Sequence, residues 1–269
     1  MKNAHKRHSV GVAARFVDER LAEGRVFFSF AELLAKTGLS EIAAKHQLLR
    51  LGNKIARVTP RQQSFLIVPP EYRTFGAPPI EWWLDDYMRQ LGHPYYLALL
   101  SAAALFGSSP QAVQETQVMT DASRRDIVLG RIRVRFFMKS GIGRTLVAQA
   151  PSAYAPLTVS TVESTIVDLI RYAPQLGGIE RMAETIAPMI ARAKPGAFRR
   201  VLDAEQEVAT VQRLGFVLEA IGAAKLVEVA WKWLPARLPP TVLSAQGGGR
   251  EAAPMHPKWH VVNNSDAFA

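Results

Sequence analysis

Between residues 27 and 65 the chain carries two helix starts, a helix stop and an apolar hairpin; helical pairs with a glycine turn are common and most bind nothing, so the hairpin that follows and the charge around it decide the reading. Ser29 followed by Glu32 forms a capping box: the hydroxyl accepts a free amide of the first turn and the glutamate reaches back. Leu33 and Leu34 give this helix an apolar face. Thr37-Gly38 ends it, because glycine takes the left-handed conformation that closes helices. Ser40 starts a second helix. Its Ile42, Ala43, Leu48, Leu49 and Leu51 are expected to fall on the core side, and Glu41, Lys45, His46, Gln47 and Arg50 on the wet side. Residues 54–59 and 63–68 then read as two strands joined by Thr59-Pro60-Arg61-Gln62, with proline early in the turn. A leading helix over residues 9–23 would place Val12, Phe16 and Leu21 inward. This order is that of a winged helix-turn-helix.

Such a unit reads duplex DNA by inserting its second helix into the major groove. The sequence therefore predicts a DNA-binding set of Lys36, Ser40, Lys45, Gln47, Arg50, Arg57 and Arg61. Lys45, Gln47 and Arg50 would lie at or near base edges, with Ser40 at the helix start. Lys36, Arg57 and Arg61 would hold backbone phosphate. Charge supports this reading. Residues 1–75 hold 13 Lys and Arg against 6 Asp and Glu, whereas residues 76–269 hold 20 against 17. A basic domain gains affinity for a polyanion by releasing its counterions. Lys2, His5, Lys6, Arg7 and His8 form a basic arm, either a groove-tracking extension or a solvated tail.

The expected fold class is α+β (mixed α/β), with the winged helix over residues 1–75 and a larger α/β domain over 76–269. Pro69, Pro70, Gly76, Pro78 and Pro79 suggest a linker. Helices are expected over residues 80–88 and 94–106, strands between 114 and 159, and helices again over 160–172, 179–193, 205–221 and 225–233. A short strand at Trp259–Val262 closes the chain. Ser160 and Glu163 form a second capping box. Asp168, set among apolar residues, would pair with Arg171 or a backbone amide. Trp82, Trp83, Tyr87, Tyr95 and Tyr96 form an aromatic set that could stack bases but at helical spacing reads rather as core. Ile132, Val134 and Phe136 alternate with Arg131, Arg133 and Arg135, as in a half-buried strand with one wet face. Lys139 stands just beyond. Adjacent arginines repel, so the stripe is either a binding face for nucleic acid or an acidic protein, or a solvated outer face.

Chemistry-bearing motifs are lacking. There is no cysteine, hence no disulfide, thiolate zinc ligand or thiol nucleophile. No phosphate-binding loop, nucleophile elbow or HExxH pair occurs, and no Asp or Glu stands two residues before a lysine as in common magnesium nucleases. No enzyme, catalytic residue, metal or cofactor is expected. No apolar run reaches the ~20 residues of a membrane span, and the basic start lacks a signal-peptide core, so a cytoplasmic protein with no membrane partner is expected.

The order of motifs resembles the AbiEi antitoxins of bacterial abortive-infection systems. The matching segments are Pro94 to Gly107, Gln114 to Thr120, Ser160 to Leu169, Gly177-Gly178, Arg213 to Glu219 and Lys258 to Asn263. Phe106 stands where a histidine is common in that family. The resemblance implies a bifunctional protein. Its N-terminal winged helix represses its own operon by binding inverted repeats in double-stranded promoter DNA. Its C-terminal domain counteracts a cognate nucleotidyltransferase-type toxin in a type IV pairing, which needs no stable complex. Arg131, Arg133 and Arg135 are then candidates for contact with toxin or nucleic acid. The alternative is a plain transcriptional regulator whose second domain senses a ligand or dimerises; a neighbouring nucleotidyltransferase gene would favour the antitoxin.

Overall fold

Ser29 and Ser40 start helices as the sequence predicts, accepting the amides of Glu32 at 3.0 Å and Ala43 at 3.3 Å. Each such cap is worth about 1 kcal/mol. In the computed structural model, which describes residues 11–61, 63–108, 115–150, 156–244, 254–265 and 268, the chain is a mixed α/β protein. The basic arm at residues 2–8 lies outside the described residues.

The chain divides into two compact units. The first comprises Met1–His93, Arg125–Arg135 and Pro151–Leu157, and the second Pro94–Arg124, Phe136–Ala150 and Thr158–Ala269. The first unit opens with α1 (Val12–Ala22), β1 (Phe27–Ser29), α2 (Phe30–Thr37), α3 (Glu41–Leu51), β2 (Ile55–Arg57), β3 (Ser64–Ile67) and α4 (Leu84–Leu91). The strands form an antiparallel sheet in the order β1-β3-β2, with Phe28 opposite Phe65 and Arg57 also opposite Phe65. The core beneath comprises Ala13, Phe16, Val17, Phe28, Phe30, Leu33, Ala44, Leu48 and Ile67. Phe16 meets Phe28 edge-on, and Phe28 stacks on Phe65, each at 5.4 Å between ring centres. Glu32 does not complete its capping box. Its carboxylate pairs with the buried Arg20 at 2.7 Å, and Arg20 also donates to the Phe27 carbonyl. An ion pair that ties α1 to α2 displaces the local bond the box would make.

The proline-rich stretch that reads as a linker belongs to this unit. Residues Pro70–Tyr72 make a 3-10 turn, Ala77 is buried, and Trp83 donates its indole N–H to the Pro78 carbonyl at 3.2 Å. Trp83 and Tyr87 are core residues, as their spacing implies.

The chain then contributes β4 (Tyr95–Leu97), α5 (Leu99–Leu105) and β5 (Thr116–Thr120) to the second unit. It returns to the first for β6 (Ile127–Leu129) and the leading half of β7 (Ile132–Met138). The second unit continues with β8 (Val147–Ala150), β9 (Leu157–Ser160), α6 (Val162–Arg171), α7 (Ile179–Ile186), α8 (Pro195–Glu205), α9 (Val208–Ala220), α10 (Ala224–Trp233), β10 (Thr241–Val242), β11 (Met255–His256) and β12 (Val261–Val262). Its main sheet runs β7-β5-β4-β9-β8. β4 is antiparallel to β5, with Tyr96 opposite Met119, and parallel to β9, with Leu97 opposite Val159. A small sheet, β10-β12-β11, closes the C-terminus.

Three sequence readings are corrected here. Residues 94–106 are not one helix: a strand leads into α5 through Leu99, fully buried at φ 54°. Gln117 steadies this strained corner by accepting from the Leu100 N–H at 2.9 Å. Helix α8 falls between the helices expected over 179–193 and 205–221. Proline fills its first turn, where the missing N–H costs nothing. The cap of α6 is Thr161, not Ser160; it accepts from the Ser164 N–H at 3.2 Å. Glu163 leaves its own helix and accepts the Lys194 N–H at 2.8 Å, capping the start of α8.

Candidate nucleic-acid interface and the buried ionic cluster

Helix α3 turns Ala44 and Leu48 inward, with Ala43, Gln47 and Leu51 half-buried beside them. The expectation that Ile42 and Leu49 join the core fails: they are 71% and 81% exposed. One face of the helix therefore presents Ile42 and Leu49 along its centre. At 3.6 residues per turn, Lys45 flanks them on one side and His46 and Arg50 on the other. All three side chains are exposed. Lys45 pairs with Glu41 at 3.2 Å across one turn, a solvated bond worth a few tenths of a kcal/mol that an incoming anion can replace. Ser40 is held as the cap. Gln47 is half-buried, and its side-chain carbonyl accepts the Ala13 N–H at 2.9 Å, so that oxygen secures the start of α1.

Beside α3 the hairpin β2–β3 walls a groove of about 410 Å³, lined among others by Leu48, Leu49, Ile55 and Phe65. Two cations roof its aromatics: Lys45 lies 5.8 Å from the Phe30 ring and Arg57 5.8 Å from the Phe65 ring. Lys36 sits in the last turn of α2, and Arg61 is exposed in the turn between β2 and β3. The structure thus gathers Lys45, Arg50 and Arg57 around one helix and one hairpin.

The arginine stripe lies on the hairpin β6–β7 of the first unit, where Val128 opposes Arg133. Arg131 stacks over Phe75 at 5.5 Å, and its N–H donates to the Phe75 carbonyl at 3.0 Å. Arg131 and Arg133 are exposed and Arg135 is half-buried. The alternation does not continue along β7. Val134 and Phe137 are both buried, three residues apart, so the inward side changes parity between them. Lys139 consequently points inward, with 1% of its surface exposed, and is no extension of the stripe.

Lys139 centres a feature of the second unit that motif reading missed. Its ammonium lies 2.8 Å from Asp168 Oδ1 and 2.6 Å from Glu205 Oε1. Asp168 Oδ2 accepts from the Tyr96 hydroxyl at 2.7 Å. Glu205 Oε1 also accepts from Thr145 at 2.9 Å, and its Oε2 meets Arg171 at 3.3 Å. Arg171 reaches on to Glu207 at 2.5 Å. Asp168 therefore pairs with Lys139 and Tyr96 rather than with Arg171. Burial pushes the Asp168 carboxyl above its ordinary range, and the Lys139 charge opposes that shift. Burial, with Asp168 alongside, also raises the Tyr96 phenol far above its ordinary value. Tyr172, which donates to the Met138 carbonyl at 2.8 Å, is pushed up to about 12, mainly by burial. All four carboxylate oxygens of Asp168 and Glu205 are engaged, and Lys139, Asp168 and Glu205 are buried. Chemically it is a tie between β4, β7, α6 and α8. Among the described residues, no cluster of His, Cys, Asp or Glu could hold a metal ion, and no helix is long and apolar enough to cross a membrane.

Residues 96–220, which contain Tyr96, Lys139, Asp168 and Glu205, match the family described as AbiEi antitoxin C-terminal domain. The match covers a little under half of the chain, and over that stretch the chain is similar to the C-terminal domain of AbiEi antitoxins. Its fold is similar to that of the RV2827C protein from Mycobacterium tuberculosis, with a TM-score of 0.64 at 16% identity, covering 93% of this chain and 90% of that one. An antigenic nucleotidyltransferase-like protein from Paracoccidioides brasiliensis gives a TM-score of 0.33 at 12% identity, over 52% of this chain and 89% of the other, too low to carry any argument. No curated protein sequence matches the chain significantly.

Proposed function

We propose that the protein is the antitoxin of a bacterial type IV toxin–antitoxin pair and represses its own operon by binding inverted repeats in promoter DNA. In this reading α1, α2 and α3 with the β2–β3 hairpin form a winged helix-turn-helix within residues 1–75. Helix α3 enters the major groove. The observation that carries the reading is the outward face of α3, where Lys45, His46 and Arg50 surround its centre line beside a hairpin bearing Arg57 and Arg61. Lys45 and Arg50 lie at or near base edges, Ser40 fixes the start of the helix, and Gln47 positions the helix against α1. Lys36, Arg57 and Arg61 hold phosphate. The AbiEi antitoxin domain supports a cognate toxin of nucleotidyltransferase type, silenced without a lasting complex.

The test is direct. The full chain should shift duplex DNA from upstream of its own gene and rescue growth when the adjacent gene is induced; failure of both would remove the proposal. Lys36→Ala, Arg57→Ala and Arg61→Ala should each weaken binding to any duplex. Each should also lower the slope of log K against log salt by about one unit, the signature of one lost phosphate contact. An unchanged slope would take that residue out of the interface. Changing Arg131, Arg133 and Arg135 together to Ala should impair either neutralisation or DNA affinity. If growth rescue and promoter binding both stay at wild-type levels, the stripe is only a solvated face.

A further inference from the structure

We infer that α3 reads thymine methyl groups through Ile42 and Leu49, so that the operator half-site carries two A·T pairs about three base pairs apart. This rests on the DNA-binding reading above and adds a sequence requirement to it. Ile42 and Leu49 are the two most exposed large apolar side chains among the described residues, at 71% and 81%. Burying either against its own unit would have stabilised the fold, and Ala44 and Leu48 on the opposite side already fill that role. Their exposure is not scattered. Seven residues apart, they fall on one line along the helix, with Lys45 on one side and His46 and Arg50 on the other.

An apolar ridge flanked by cations matches the cross-section of a major groove, in which base edges form the floor and phosphates the two walls. The only apolar group on that floor is the C5-methyl of thymine. Seven residues of helix rise about 10.5 Å, which spans roughly three base-pair steps of ~3.4 Å. A protein partner would also accept the apolar ridge. The ring of Lys45, His46 and Arg50 and the basic balance of residues 1–75 favour the polyanion.

The experiment isolates one methyl group at a time. The full chain is used to select duplexes from a random library, and the winning duplex is resynthesised with deoxyuridine in place of single thymidines. Uracil keeps the base pair and every hydrogen-bonding group and removes only the methyl. Two positions about three base pairs apart should each cost about fourfold in affinity when demethylated, the worth of ~0.8 kcal/mol per buried methyl-sized group. Leu49→Ala and Ile42→Ala should each bind the thymidine and deoxyuridine duplexes within twofold at one of those positions, and circular dichroism should show both variants folded. If the selected duplex binds equally well with every thymidine demethylated, the methyl reading is wrong while the DNA-binding role stands. If no duplex is enriched, both fall. If the two alanine substitutions instead lower the solution mass, the ridge joins two copies of the chain and the inference is overturned.

Discussion

Replacing Lys139 with methionine is expected to lower the free energy of unfolding by about 3–5 kcal/mol at pH 7, because it strips the counter-charge from two buried carboxylates. The methylene stem is kept, so the loss is electrostatic rather than a cavity. Its pH dependence separates this from a packing defect. Without the ammonium, the folded-state pKa of Asp168 moves further above its unfolded value, in the direction that burial already drives it. A carboxyl raised in the folded state binds more protons there than in the unfolded chain. Stability then falls as pH rises from the unfolded pKa toward the folded one, and recovers as pH is lowered through the same window. Urea titrations of wild type and variant at pH 7 and pH 5 should show the gap narrowing at the lower pH. A constant gap would mean that the charge of Asp168 is not what the lysine compensates. Asp168→Asn in the same background should recover part of the loss.

A second large effect is expected at Trp259. This side chain is fully buried and rests on Gly215 of α9, where any β-carbon would overlap the indole ring. Gln212 donates to the Trp259 carbonyl at 2.9 Å, Lys258 lies 4.7 Å over the ring, and the indole N–H reaches Glu219. Trp259→Ala should cost about 3–5 kcal/mol, in line with emptying a large aromatic site. Gly215→Val should be comparably damaging, because the indole then has nowhere to go. The double variant should be less destabilised than the sum of the two, since valine enters the space the indole has left. Strict additivity, measured by denaturant unfolding, would break the link between these positions.

What the sequence made legible follows the range of the interactions. Ser29, Ser40 and Gly38 were readable because caps and stops join a side chain or a φ angle to backbone within a few residues. Ile42 and Leu49 were misassigned because residue type alone counted them as core, although helical phase puts Ala44 and Leu48 on the buried side. Lys139 was misplaced because a change of parity within β7 leaves no mark in a run of alternating residues. Its partners Asp168 and Glu205 lie 29 and 66 positions away, beyond any local pattern. Asp168 did carry a signal, a carboxylate embedded in an apolar helix. Only the fold supplies the ammonium that answers it. Glu163 was tied to the wrong backbone for the same reason, since its acceptor role serves a helix 31 residues on.

The way the chain visits its two units has an evolutionary consequence. The N-terminal unit takes in residues 125–135, which return to Phe75, and then Pro151–Leu157, after the other unit has already been started. No single crossover between related genes can exchange one unit whole for a homologous one. The two units are expected to be inherited as a linked pair, and chimaeras spliced near residue 93 should need residues 125–135 and 151–157 from the same parent as their N-terminal segment.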